Sequence, residues 1–198
     1  MTRVISIVLV LAGAFCVWLG VRTFYSAYEG EKQAQTEWQT QEERPPAPIQ
    51  PSAPIQSGDT IAKLSIARLN SEWYVIAGAG KSELRRGPGH VSESALPGEN
   101  GNCIIAGHRD THFRELRNVQ VGEEITLDSG GKSYLYRVTE RRVIKPTETS
   151  VLNPTKEPIL TLITCYPFYY VGPAPNRFIV RAELIEQQRA SRAAFGAF

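Results

Sequence analysis

The spacing of apolar residues divides the chain into one unbroken apolar run, a polar stretch and a long series of short apolar runs. From Val4 to Val21 the run VISIVLVLAGAFCVWLGV carries no charge and is bracketed by Arg3 and Arg22. Wound as a helix at about 1.5 Å per residue it reaches roughly 27 Å, close to the ~30 Å hydrocarbon core of a bilayer, so a transmembrane helix is expected. A cleaved signal peptide is the rival reading. Its apolar region is usually about 7 to 15 residues and ends in a small-x-small site, whereas Trp18, Arg22 and Phe24-Tyr25 stand where cleavage would fall. Arg3 and the terminal amine precede the run, and an acidic stretch with Glu29, Glu31 and Glu37 follows it. That asymmetry favours a cytoplasmic N-terminus. The chain is then a single-pass protein of the cytoplasmic membrane, with everything after the anchor extracytoplasmic.

Phe24 to Glu43, rich in Glu, Gln and Ala, reads as a helical or loosely ordered stalk, with Phe24, Tyr25 and Tyr28 suited to the membrane interface. Arg44 to Gln56, RPPAPIQPSAPIQ, holds five of the chain's 13 prolines. Proline fixes φ and favours an extended chain, so this segment reads as a stiff spacer holding the next domain off the bilayer, or else as a linker with no mechanical role.

From Ser57 to Glu186 the pattern becomes IAKLSIARL, EWYVIAGA, NCIIAGH, EEITLD, KSYLYRVTERRVI, PILTLITC and RFIVRAELI, separated by Gly, Pro, Asn or Asp. Short β-branched runs at regular spacing predict strands, and Asp128-Ser-Gly-Gly131 predicts a hairpin with a longer loop. Counting the Val143-Ile144 end of the longest run separately gives about eight strands and few helices. An all-β fold, an eight-stranded antiparallel barrel with short helices, is expected. The expected organisation is a membrane anchor over 1–23, stalk and Pro-rich linker over 24–56, barrel over 57–186 and a frayed tail over 187–198.

Charge changes the picture only by exclusion. Lys and Arg total 22 against 20 Asp and Glu, a net charge of +2, too balanced for a surface that neutralises a phosphate backbone, so no nucleic-acid partner is expected. The cysteines Cys16, Cys103 and Cys165 are odd in number and form no Cys-x-x-Cys pair, which argues against both a disulfide framework and a zinc site. Cys16 lies in the apolar run and Cys103 inside a predicted strand, where a thiol acts as a small hydrophobe. Cys165 ends Thr161-Leu-Ile-Thr-Cys165, just before Tyr166-Pro167, and a thiol at a strand end is accessible for reaction once a nearby cation or imidazolium supports its thiolate.

His108 follows Ile104-Ile-Ala-Gly107 where a strand opens into a loop, and its imidazole suits proton transfer to and from an amine. His112 and His90 are weaker candidates, although His112 in GHRDTHF is easily confused with His108. Arg177 follows Cys165 across the loop Tyr169-Tyr-Val-Gly-Pro-Ala-Pro-Asn176 and begins another apolar run. Its fixed cationic fork can steady an oxyanion but serves poorly as a base.

With LPGENGN at Leu96–Asn102, GHRDTHF followed by RELRNVQVGEEI, then TLITC and the arginine strand, the chain resembles the sortases, membrane-anchored bacterial cysteine transpeptidases, over about residues 57–185. The resemblance implies an eight-stranded barrel in which Cys165 is the nucleophile, His108 the general acid and base and Arg177 the stabiliser of substrate or oxyanion, while Thr164 lines the pocket. It implies no cofactor. It implies two partners, secreted proteins bearing a C-terminal LPxTG-like sorting signal and an amine acceptor of the cell envelope. The run Tyr166-Pro-Phe-Tyr-Tyr170 is most similar to class D and proteobacterial-type members, and with no second spanning segment visible, single-protein anchoring is expected rather than pilus assembly. The segment KPTETSVLNPTKEP, Lys145 to Pro158, corresponds to the region that shapes the sorting-signal pocket. Its Glu148 and Glu157 read as a solvated loop, so no metal is assigned. Two other readings stay open: a Cys/His cell-wall peptidase or cross-linking transpeptidase, disfavoured because His108 precedes Cys165, and a non-catalytic anchored barrel.

Overall fold

The computed structural model describes the backbone of residues 2–43, 54–170 and 172–189. Eight strands close into a barrel: β1 (Thr60–Ile66), β2 (Ser71–Ala77), β3 (Gly89–His90), β4 (Gly101–Gly107), β5 (Glu124–Ser129), β6 (Lys132–Ile144), β7 (Pro158–Tyr166) and β8 (Asn176–Arg189). Around the barrel they run β1-β2-β3-β4-β7-β8-β6-β5. The alternation that predicts strands also sets their facing. In β1 every second residue is buried, and Ala62, Leu64 and Ile66 join Ile105, Leu127, Tyr136, Leu162 and Val180 in one interior cluster. Burying such side chains contributes roughly 1.5–3 kcal/mol each before conformational entropy is offset.

Three expectations are corrected. The Val143-Ile144 end is the close of β6, and the eighth strand is Gly89–His90, two residues long and too short for any alternation to announce. The hairpin at Asp128–Gly131 is tight: Ser129 pairs with Lys132 across Gly130 and Gly131, both with positive φ, a two-residue turn whose twist matches the strands it joins. The barrel is mixed, since β2 and β3 pair in parallel and so do β4 and β7. Parallel neighbours need a crossover connection. The β5–β6 hairpin supplies it, taking the chain around the barrel between β4 and β7. β8 also pairs to Arg189, beyond the expected barrel end at 186, while 190–198 lie outside the described residues.

Thr2–Glu43 is one α-helix, α1. Of the expected membrane span, the side chains of residues 4–10, 12 and 20 lie outside the described residues, as do those of Phe24, Tyr25 and Tyr28. Among the described residues no helix is long and apolar enough to cross a membrane. The stalk half of α1 rests on the barrel: Ala34 and Trp38 are buried against Tyr74 and Ile76 of β2. This contact precedes the Pro-rich segment expected as a spacer. Its residues 44–53 lie outside the described ones. A single-turn helix, α2 (Glu83–Arg86), sits between β2 and β3 against α1.

Candidate active site

The mixed topology decides where the reactive groups meet. Because β4 and β7 are parallel, their C-terminal ends lie together, and the register pairs Gly107 with Thr164. His108 is one residue past that end and falls beside Cys165, on strands about 4.8 Å apart. β8 runs back along β7 with Arg177 directly opposite Cys165, a cross-strand position that brings Cβ atoms within roughly 4.5–5.5 Å. An antiparallel β4–β7 pair would have put histidine and cysteine at opposite ends of the barrel. Alternation supplies the facing: Leu160, Leu162, Phe178 and Val180 point into the interior cluster, so Cys165 and Arg177 point outward.

Cys165 is partly exposed, whereas Cys103 is buried and its thiol is pushed up to about 12 by desolvation. Arg177 donates through Nη1 to the carbonyls of Ala174 and Asn176, at 3.3 and 2.9 Å, which fixes the fork at the strand entrance. Thr164 is buried and spends its hydroxyl on the Gly107 carbonyl at 2.7 Å, inside the sheet. It ties β7 to β4 on the side away from Cys165.

The outer face beside Cys165 has an apolar floor. Ile163 and Ile179 pack there with Ile144 and with Val151 from the 145–157 segment. That segment is pinned by Asn102, whose Nδ2 donates to the carbonyls of Val151 and Asn153 at 2.9 and 3.2 Å while its Oδ1 accepts from Thr161 at 2.6 Å. Asn102 is thus a site-shaping residue that sequence reasoning passed over as part of a strand.

The loop after β4 is held by sterics and arginines. A Cβ on Gly107 would stand 2.6 Å from the Phe113 ring, which folds back over it as the Phe113 N–H donates to the His108 carbonyl at 2.9 Å. Arg109 donates to the carbonyls of Tyr170 and Gly172 at 2.8 and 3.1 Å and lies 5.7 Å over the Tyr170 ring. Arg117 donates to the Tyr169 hydroxyl and covers that ring. The β7–β8 loop is thereby strapped to the loop carrying His108, and its root is filled by the mutually packed rings of Tyr166, Phe168 and Phe178. Gly107→Ala is expected to displace Phe113 and His108 together. We expect about 1–3 kcal/mol of overpacking destabilisation in urea melts and a loss of roughly ten- to a hundredfold in kcat/KM for peptide from misplacement.

Beside His108 opens a cleft of about 200 Å³ lined by Leu84, Arg85, His108, Asp110, Thr111 and His112. His112 is buried in the cleft wall beside Arg85. Desolvation, and after it the neighbouring His108, holds its pKa below the ordinary histidine value. The unfolded chain therefore binds the additional proton, and folding stability must fall as pH drops below the unfolded histidine value of about 6.5. The urea midpoint is expected to decrease from about pH 7.5 to about pH 5.5, with His112→Gln reducing that decrease.

A model of the sortase domain family matches residues 64–185, more than half of the chain, and the chain belongs to the sortase family. Sortase D of Bacillus subtilis strain 168 is 34% identical over 127 residues, 63% of this chain and 64% of its own length. Sortase SrtE1 of Streptomyces coelicolor is 29% identical over 194 residues, 88% of this chain and 52% of its own length. The chain thus spans about half to two thirds of the length of these curated relatives. Among solved structures, a Clostridium perfringens Sortase D5 transpeptidase superposes with a TM-score of 0.64 at 30% identity, covering 80% of this chain and 99% of that one. The all-β eight-stranded barrel is the sortase fold, and sortases are cysteine transpeptidases.

Proposed function

We propose that the chain is a membrane-anchored cysteine transpeptidase that cleaves an LPxTG-like sorting signal and joins the released protein to an amine of the cell envelope. The observation that carries this reading is the strand register, with His108 past the end of β4, Cys165 beside it on β7 and Arg177 opposite on β8. In this reaction the Cys165 thiolate attacks the carbonyl carbon of the Thr-Gly-type bond and Arg177 steadies the oxyanion that forms. The C–N bond breaks, protonated His108 gives its proton to the departing amine, and a thioester to Cys165 remains. An incoming amine then attacks the thioester, neutral His108 takes its proton, and a new amide leaves as the thiolate returns.

The apolar floor of Ile163, Ile179 and Val151 suits the leucine and proline side chains of such a signal. The run Val4–Val21 is read as a single-pass anchor of the cytoplasmic membrane with its N-terminus inside and the barrel outside. The 34% identity to a sortase D supports a class D-like member.

Intact-mass spectrometry of the full chain mixed with a library of LPxTG-like peptides tests the reading. A thioester adduct on Cys165 is expected, released by added amine. No adduct, together with muropeptides released from isolated peptidoglycan, would instead identify a cell-wall peptidase.

A further inference from the structure

The stalk half of α1 lies against the barrel through three independent contacts. Trp38 is 8% exposed and packs on Tyr74, ring centroids 6.5 Å apart, with Ala34 fully buried beside it. Glu37 accepts from Arg86 Nη2 at both carboxylate oxygens, at 3.1 and 3.0 Å, and from the Thr60 hydroxyl at 2.9 Å. Gly30 brings the helix backbone onto α2: a Cβ there would stand 3.1 Å from Arg86 Cα. A glycine inside a helix costs about 1 kcal/mol relative to alanine, so its presence at the closest approach to α2 fits a packed interface better than a solvated spacer.

Magnitudes rank these contacts. The Glu37–Arg86 pair is partly exposed and contributes at most about 1 kcal/mol. A tryptophan buried to this degree contributes several times as much, about 3–5 kcal/mol by the usual cost of truncation to alanine. Apolar docking therefore holds the helix, and the ion pair sets its register.

What α1 touches matters because of what lies on the other side. Arg86, the residue gripped by Glu37 and packed under Gly30, is preceded in α2 by Leu84 and Arg85, which line the cleft shared with His108 and His112. Arg86 also donates through Nη1 to the Gly58 carbonyl at 2.6 Å, tying α2 to the entrance of β1. His112, itself buried, lines that cleft together with Arg85. A continuous chain of contacts runs from stalk helix to α2, from α2 to His112, and from there to the wall beside His108.

We propose that the stalk helix is a positioning element of the catalytic cleft: Trp38 anchors it on β2, Gly30 and Glu37 hold α2, and α2 holds the histidine side of the site. The membrane stalk is in this view part of the catalytic domain, and separating it from the barrel loosens the cleft. The inference rests on the reading of His108 as the proton carrier.

The test uses the full chain in detergent micelles, with Gly30→Leu and Trp38→Ala to undock the helix, Trp38→Phe as the conservative replacement and exposed Gln35→Ala as control. Gly30→Leu raises helix propensity, so its effect cannot be blamed on a melted helix. The first readout needs no substrate: alkylation of Cys165 by iodoacetamide, resolved from Cys16 by peptide mass. The undocked variants are expected to alkylate about tenfold more slowly at neutral pH, as His108 is displaced from beside the Cys165 thiol. Trp38→Phe and Gln35→Ala stay near the native rate, and circular dichroism shows the barrel of every variant folded at the assay temperature. Native rates in both undocked variants would overturn the proposal, and so would slow alkylation accompanied by loss of the barrel's circular dichroism signal. The second readout is acylation by the LPxTG-like library. If alkylation responds to undocking but no peptide acylates even the native chain, the positioning role stands and the transpeptidase reading fails.

Discussion

Replacing Cys165 with alanine is expected to eliminate the peptide adduct and to reduce transpeptidation by about four decades or more, the scale on which loss of a nucleophile acts. The sulfur is the one group whose removal leaves no route to the thioester, so the residual rate should be that of uncatalysed aminolysis. The fold should not suffer. Cys165 is partly exposed at the end of β7 and lies outside the interior cluster, so circular dichroism and the melting temperature of the variant are expected to match the native chain. Cys103→Ala gives the contrast. That thiol is buried and held protonated at neutral pH, so its removal leaves acyl transfer intact and costs stability through the small cavity left behind. A Cys165→Ala variant that still formed adduct would remove the nucleophile assignment altogether.

The strands were legible because each has alternating or continuous apolar residues over at least six positions, from Ile61 in β1 to Ile185 in β8. Gly89–His90 was not, because two residues carry no period and its place depends on pairing with Ile76-Ala77 on one side and Ile105-Ala106 on the other. The three candidate site residues were legible one by one, since thiol, imidazole and guanidinium each stand at a strand end. Their convergence is expected from the resemblance to the sortases, whereas the parallel β4–β7 register that underlies it is a product of the crossover and not of any local pattern. Second partners were harder still. Asn102 reads as an ordinary strand residue until Val151 and Asn153 arrive from the segment 145–157. Arg109 and Arg117 read as surface charge until Tyr170 and Tyr169 come under them. Gly30 and Glu37 read as stalk until Arg86 is seen between them and the barrel. In each case the missing information is a long-range contact, which no window of neighbouring residues contains.

The two histidines of GHRDTHF are expected to separate cleanly on substitution. His108→Ala should lower kcat by about two to four decades, the range for loss of a positioned general acid and base, with little change in KM if the peptide lies on the proposed Ile163–Ile179–Val151 floor. Its side chain is exposed at the mouth of the cleft, so stability should be unaffected. His112→Gln should do the reverse. Buried against the Arg85 backbone and disfavoured as a cation by desolvation, His112 is poorly placed to carry the proton that the leaving amine needs. Its loss is expected to cost stability by removing a packed, buried ring, about 1–3 kcal/mol, with kcat retained within about tenfold, the residue acting only through the position of its neighbour. The pH profile separates the roles further. Native acylation should follow a bell-shaped dependence on pH, His112→Gln should keep that shape, and His108→Ala should lose the limb that the imidazolium provides. If His112→Gln instead abolished acylation while His108→Ala kept it, the proton carrier would have to be reassigned four residues along the loop.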